Sequence, residues 1–322
     1  MMDPADRILF ERSLEHAVEG HSGEALDTAL LELGWHEALA LDPQTAVATL
    51  FRLQGSEHAS SSSLDHVLLH RLELKGSPVT GVVLPPLGQW APPGELEGDE
   101  LVVRGLGGAA LQDHEVALVV ARTGGAAIAA IVPTADLALR RIHGMDAELG
   151  LLEVTGRLLH GSAARQELPP SAWSSSVALC QLAVGHELVG ASRKMLELAR
   201  RHAVERTQFD QIIGKFQAVR HRLAETLVAL EAADAMLGAA WEDGSPTTAA
   251  VAKALAGRAA RTAARHCQQV LAGIGFTTEH EFHHYVRRVL VLDALFGGSR
   301  SLTRELGVEL LTSQRLPALV PL

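Results

Sequence analysis

The sequence predicts an α+β protein in three parts: a shortened N-terminal helical domain over 1–75, a middle β-sheet or small barrel over 76–167, and a C-terminal four-helix bundle over 168–322. Three observations predict it. Apolar residues first recur at helical spacing, then fall into short branched-residue runs broken by Gly, Pro and Asp, and return to helical spacing beyond Pro169-Pro170.

In the first part, LFERSLEHAVEG, ALDTALLELGWHEALAL and AVATLFRLQG read as amphipathic helices, with Asp42-Pro43 breaking the chain between the second and third. Ser60 to Ser63 supply a loop and an N-cap for the helix carrying Leu68, Leu69 and Leu72. In the middle part, VTGVVLP, ELVVRGL, EVALVVART, AAIAAIVP, LALRRIHG and LLEVTGRLLHG read as strands of an antiparallel sheet. No helical periods intervene and no GxGxxG opens a helix, which excludes a Rossmann unit. GLGG at 105–108 reads as a hairpin-like turn. In the last part, Leu223, Leu227, Leu230 and Leu237 mark one helix face, 177–205 and 246–272 are similarly periodic, and Asp243-Gly244-Ser245-Pro246 is a short joint.

Composition narrows the function. The 322 residues are 47% hydrophobic and 20% charged, with a mean hydropathy of +0.14. VALVVA at 116–121 and AAIAAIV at 126–132 fall well short of the ~20 residues that span a bilayer, so the apolar surplus points to a large core or to subunit interfaces. A net charge of −10 argues against general nucleic-acid binding. Cys180 and Cys267 form no CxxC, and the N-terminus has no apolar leader, which makes a reducing cytoplasm the expected compartment.

Two motifs carry a resemblance. ERTQFDQIIGKFQ at 205–217 resembles E-R-x-x-F-G-x-x-I-x-x-F-Q, and QVLAGIGFTTEH at 269–280 resembles Q-x-L-G-G-x-G-[FY]-x-x-E, with the arginine pair at 287–288 following. Together they are similar to the acyl-CoA dehydrogenase family, in its bacterial FadE-type branch. The resemblance implies FAD lying across a subunit boundary. Arg206 would meet its pyrophosphate, Gln208 and Phe209 would sit beside it, Gln217 closes the same motif, and Gln269 with the Gly273 backbone would line the rest. A forked guanidinium suits phosphate oxygens, and glycine lets backbone N–H groups approach. Ala272 replaces one family glycine.

Other family features are missing. The segment that should offer a Thr/Ser contact and a Trp to the flavin ring reads PPLGQWAPPG and GLGGAAL, and Trp90 in its proline loop reads as a packing residue. The family's Y-E-G-T turn becomes Phe296, Gly297, Gly298 and Ser299, so glycine occupies the position of the catalytic glutamate, and glycine accepts no proton. A second base position used in the family falls near Cys180. Glu187, two turns or ~10 Å farther along, is the fallback base, with His186 a weaker one. Glu279, His280, Glu281, His283 and His284 have spacings able to hold a metal on a helix face, but the run resembles a FadE-type structural signature and no metal is expected. Arg258, Arg261 and Arg265 form a basic stripe.

The resemblance therefore implies a subunit that contributes FAD contacts to a homologous, catalytically complete chain. The expected assembly is an α2β2 heterotetramer acting on an acyl-CoA, with steroid side-chain thioesters as the substrate class by analogy. A self-sufficient homo-oligomeric dehydrogenase with a relocated base, and a non-enzymatic helical scaffold, remain open alternatives.

Overall fold

The structure, a computed structural model, describes residues 2–72, 74, 81–159 and 164–314. The expected boundary at 75–76, the first residues of the VTGVVLP run and the segment beyond 314 lie outside them.

Five helices open the chain: α1 (Pro4–Gly20), α2 (Glu24–Glu32), α3 (Trp35–Leu41), α4 (Pro43–Glu57) and α5 (Ser63–His70). The Asp42-Pro43 break works as its chemistry requires. Asp42 accepts the Thr45 N–H at 3.2 Å as the N-cap of α4, while Pro43 takes the first helical position, where no N–H is needed. Leu14, Leu26, Leu30, Trp35, Leu50, Phe51 and Leu68 turn inward as one core.

Eight strands follow: β1 (Gly81–Val82), β2 (Gly94–Glu97), β3 (Glu100–Gly107), β4 (Val116–Thr123), β5 (Ala126–Pro133), β6 (Ala138–Arg141), β7 (Leu152–Leu159) and β8 (Ala164–Glu167). Their order is β6-β7-β3-β2-β4-β5-β8, with β1 on β4. The expectation of a purely antiparallel sheet needs correction, because both β1 and β2 pair with β4 in parallel. The hairpin at 105–108 is also absent: β3 keeps its register with β7 through Gly107 and the chain then makes a 3-10 turn at Ala109–Asp113. Strand β4 explains the continuous run VALVVA. Leu118 and Val120 face the helices, Ala117, Val119 and Ala121 face a second core inside the sheet, and a strand buried on both faces needs no polar alternation.

The bundle is built from α6 (Ala172–Glu205), α7 (Gln217–Asp243), α8 (Pro246–Leu271) and α9 (Phe282–Ala294), with α10 (Ser299–Ser313) closing one end. Between α6 and α7 lies a hairpin of β9 (Thr207–Gln208) and β10 (Gln211–Ile212). Helix α6 is the axis of the molecule, buried without interruption from Ser176 to Ser192. Helix α4 crosses it at a reciprocal pair of glycines. A Cβ on Gly55 would lie 2.2 Å from the Glu187 carbonyl oxygen and one on Gly190 2.2 Å from that of Arg52, so the backbones touch. Of the α7 leucines, Leu230 and Leu237 are buried as their spacing predicts, but Leu227 is half exposed because α7 is an outer helix whose inner stripe runs through Thr226, Leu230 and Ala233 instead. Among the described residues no helix is long and apolar enough to cross a membrane.

Candidate functional site

Because α6, α7 and α8 run alternately up and down, the last turn of α6, the first of α7, the last of α8 and the start of α9 share one end of the bundle. An ion pair between Arg201 and Glu281 at 3.5 Å ties α6 to the α9 entry there. Both motifs therefore meet on this end. Arg206 is the C-cap of α6, exposed, with its carbonyl accepting the Ile213 N–H at 2.9 Å. Gln208 pairs with Gln211 across the hairpin, and the turn between them is Phe209-Asp210, both at positive φ (51° and 58°). That turn geometry holds Phe209 in solvent, 86% exposed, its ring edge-on to Phe216. Gln217, the first residue of α7, is also exposed.

Beside this hairpin end lies a groove of about 360 Å³ between α8 and α9, lined by Arg261, Arg265, Gln268, Gln269, Ala272 and Phe276, among others. The Nε2 of Gln268 is buried without a partner among the described residues, and Gly273 has nothing within 4 Å on its Cβ side. Arg261 is spent on Asp293, but the Gln268 amide and the exposed Arg265 guanidinium, next to an exposed aromatic ring, fit the phosphates and base of a dinucleotide such as FAD. Val204, Phe209, Ile212, Ile274 and Phe276 are exposed apolar side chains on the same end. Such a concentration is typical of interaction and ligand-binding surfaces.

One position in the groove is strained. Ala272 ends α8 at φ 52°, ψ −131°, a conformation open to glycine and costly for any residue with a Cβ, by about 1–3 kcal/mol. Ala272→Gly is expected to raise stability by about 1 kcal/mol once glycine's extra unfolded-state entropy is subtracted, read as a higher urea midpoint at unchanged m-value.

The turn carrying Gly297 lies at the opposite end. Phe296 and Gly297 both have positive φ, 52° and 97°. The Gln181 carboxamide on α6 donates to the Phe296 carbonyl at 3.0 Å. The Lys253 ammonium on α8, fully buried, donates to the carbonyls of Leu292, Asp293 and Gly297 at 3.1–3.3 Å, capping α9. Burial lowers its pKa to about 8, with Asp293 opposing and Arg261 adding to the fall. Asp293 is itself buried, accepting from Arg261 Nε at 2.7 Å and the Ser299 N–H at 3.0 Å.

A Cβ on Gly297 would lie 2.8 Å from both Trp90 and Leu302. Trp90, whose carbonyl accepts from the Trp173 indole at 3.0 Å, thus occupies the space toward which a side chain at 297 would point. The expectation that Trp90 packs is what the geometry displays. Trp90, Trp173, Val177, Gln181 and Leu302 wall an apolar cleft of about 220 Å³, and no carboxylate from α6 lines it, although Glu305 and Glu309 of α10 reach its rim.

Neither alternative base faces that cleft. Cys180 is fully buried and its thiol pKa is pushed well up by burial, with Asp65 adding to the rise. Glu187 is buried against Arg288, whose Nη1 donates to it at 3.1 Å. Burial raises its pKa to about 7 despite that arginine. His186 has the Trp241 indole donating to Nε2 at 3.0 Å and Arg52 approaching Nδ1 at 3.4 Å, and burial followed by the Arg52 charge lowers its pKa to about 3, holding it neutral.

Spacing alone missed Lys253, Asp293 and Arg288, although a signal for two of them existed. Lys253 falls on the buried stripe of Ala249, Ala252, Ala256 and Ala260, and Arg288 on that of Phe282, Tyr285, Val289 and Leu292.

Residues 176–310 match the family described as acyl-CoA dehydrogenase, C-terminal domain. Over its length the chain is similar to acyl-CoA dehydrogenase IpdE2 of Mycobacterium tuberculosis, 27% identical across 96% of this chain and 98% of that protein. Its fold is that of the ChsE4–ChsE5 complex from Mycobacterium tuberculosis (TM-score 0.77, 21% identity, 99% of each chain). A variant of the Tcur3481–Tcur3483 steroid acyl-CoA dehydrogenase has the same fold (TM-score 0.74, 21% identity, 96% of each chain). With the two motifs on one bundle end and the helical, β and helical order, residues 176–310 match the acyl-CoA dehydrogenase C-terminal domain, and the chain over its length is similar to an acyl-CoA dehydrogenase and shares the fold of others.

Proposed function

We propose that this chain is the non-catalytic subunit of a FAD-dependent acyl-CoA dehydrogenase, pairing with a homologous catalytic chain in an α2β2 heterotetramer. The observation that carries this reading is the turn at Gly297, which has no carboxylate and whose side-chain space is filled by Trp90 and Leu302. The opposite end keeps Arg206, Gln208, Phe209, Gln217, Gln269 and the Gly273 backbone free to meet the adenosine and pyrophosphate of FAD held mainly by the partner. Bound FAD supplies the hydride acceptor for α,β-desaturation of an acyl-CoA thioester. This chain's residues do no proton transfer in that scheme: Arg206 and the groove amides bind phosphate oxygens, while Phe209 and Phe276 exclude water from the contact. Two of the structures that share its fold are a steroid acyl-CoA dehydrogenase and a two-component complex, which supports a bulky steroid side-chain thioester as substrate and a second, different chain as partner.

Co-expression with a homologous catalytic chain, followed by flavin quantitation, tests the proposal. One FAD per pair of unlike chains is expected, and Arg206→Ala should leave assembly intact while lowering flavin affinity by at least about tenfold, the loss of one charge-assisted contact. One FAD per chain, bound by this protein alone with acyl-CoA turnover, would establish the self-sufficient enzyme. Flavin content unchanged by Arg206→Ala would favour the scaffold.

A further inference from the structure

We propose that His58, Glu148 and His284 form a binding site for a borderline divalent cation, Zn2+ or a metal of similar ligand preference, which clips together the three parts of the fold. The residues come from places that sequence spacing does not connect. His58 is the C-cap of α4, held at φ 55°, Glu148 sits in the 3-10 turn Ala147–Leu149 between β6 and β7, and His284 is on the first turn of α9. Of the run at 280–284 only His284 takes part, so the site is not the helix-face cluster that the spacing of that run suggested.

The geometry is that of a ligand set. His58 Nδ1 lies 3.1 Å from one Glu148 oxygen and His284 Nδ1 3.7 Å from the other. One donor atom from each of the three residues falls within 4.8 Å of the others. Metal–ligand bonds of 2.0–2.2 Å at tetrahedral angles separate donors by roughly 3.3 Å, so an ion entering this triangle needs only small side-chain shifts. Two imidazoles and a carboxylate suit Zn2+, Co2+ or Ni2+ and not Mg2+ or Ca2+, which prefer all-oxygen shells. An outer contact is also in place. His58 Nε2 is buried without a hydrogen-bond partner among the described residues, yet it stands 4.0 Å from Asp146 Oδ2, and Asp146 is anchored by Arg288. With the ion on Nδ1, an Nε2–H directed at Asp146 would complete the carboxylate–histidine–metal arrangement that orients ligating imidazoles. His58 is only 11% exposed and Glu148 61% exposed, so the site is anchored on its inner side and open to entry, with water as fourth ligand, on the other. An ion held here joins α4, the β-domain turn and α9, contacts that must all separate on unfolding, so binding adds to stability.

The test uses the full chain, freed of any affinity tag and treated with EDTA, or the assembled complex if the chain purifies only with its partner. Titration with Co2+ is expected to give visible d–d bands that Zn2+ displaces, and Zn2+ is expected to raise Tm by several degrees. Glu148→Ala, on an exposed side chain whose removal leaves the fold intact, should weaken binding at least about tenfold, the loss seen even for outer partners of a metal. His58→Ala should abolish the bands, and His283→Ala should leave them. Absence of Co2+ bands, or bands that survive in Glu148→Ala and His58→Ala proteins shown by circular dichroism to be folded, would overturn the site and leave an ordinary His–Glu ion pair.

Discussion

Arg288→Ala is expected to cost about 3–5 kcal/mol of stability, measured as a fall in urea midpoint and Tm. Arg288 has no solvent exposure, and its guanidinium donates to Asp146, to the Ala59 carbonyl at 2.8 Å and to Glu187 at 3.1 Å. Truncation removes one buried cation and strands two buried carboxylates, an outcome worse than never having had the network, because desolvation of the carboxylates remains while the attraction is gone. Its Nη2 finds no partner among the described residues, and apolar replacement of a buried ion pair is often neutral, so Arg288→Met with Glu187→Leu should recover part of the loss. The pH dependence has a definite sign. Burial lifts Glu187 from an ordinary 4.5 to about 7 while Arg288 pulls it down. A folded-state pKa above the unfolded value favours folding fully at low pH and loses that favour as pH rises through 7. Removing Arg288 raises the folded value further, so the gap between variant and parent should widen from pH 6 to pH 8. A flat difference across that range would mean that Glu187 does not sense Arg288.

Gly297→Glu, which writes the family's base back into the sequence, is expected to destabilise the chain by about 3–5 kcal/mol and to restore no dehydrogenase activity. At φ 97° any L side chain is strained, and the new Cβ would stand 2.8 Å from Trp90 and Leu302. Backbone strain and overpacking of one to three kcal/mol each make up the estimate. A smaller residue in place of Trp90 relieves part of the second, leaving Leu302, so Trp90→Ala combined with Gly297→Glu should be less unstable than the sum of the single changes, a coupling that a double-mutant cycle measures. Activity in the single variant, with flavin bound by this chain alone, would show that the space at 297 is open to a base and would overturn the sharing of FAD with a partner.

Much of this was legible in the residues. The three-part order follows from a change of hydrophobic period, and the two motifs name one bundle end because a helical hairpin must bring them together. The glycine at 297 is visible in the sequence, but the filling of its side-chain space by Trp90 is not, since Trp90 and Leu302 are over two hundred residues apart in the chain and meet only through the packing of a proline loop against α10. Leu227 misled because a leucine row says that a face is apolar without saying what covers it. The parallel pairings of β1 and β2 with β4 were hidden because alternation within a strand does not encode its neighbour's direction. Arg288 and Lys253 sit on apolar stripes, where a charged residue is more informative than the leucines around it.

Helix α6 runs from Gln181, under the Gly297 turn, to Arg206 at the far end, twenty-five residues or about 37 Å. That length is several screening lengths, yet the ends are joined by side chains: Arg261 lines the groove of the hairpin end and also donates to Asp293, which accepts the Ser299 N–H beside the Gly297 turn. The Arg261–Asp293 pair is thus a strut between groove and turn, so a change at Asp293 should be felt at both.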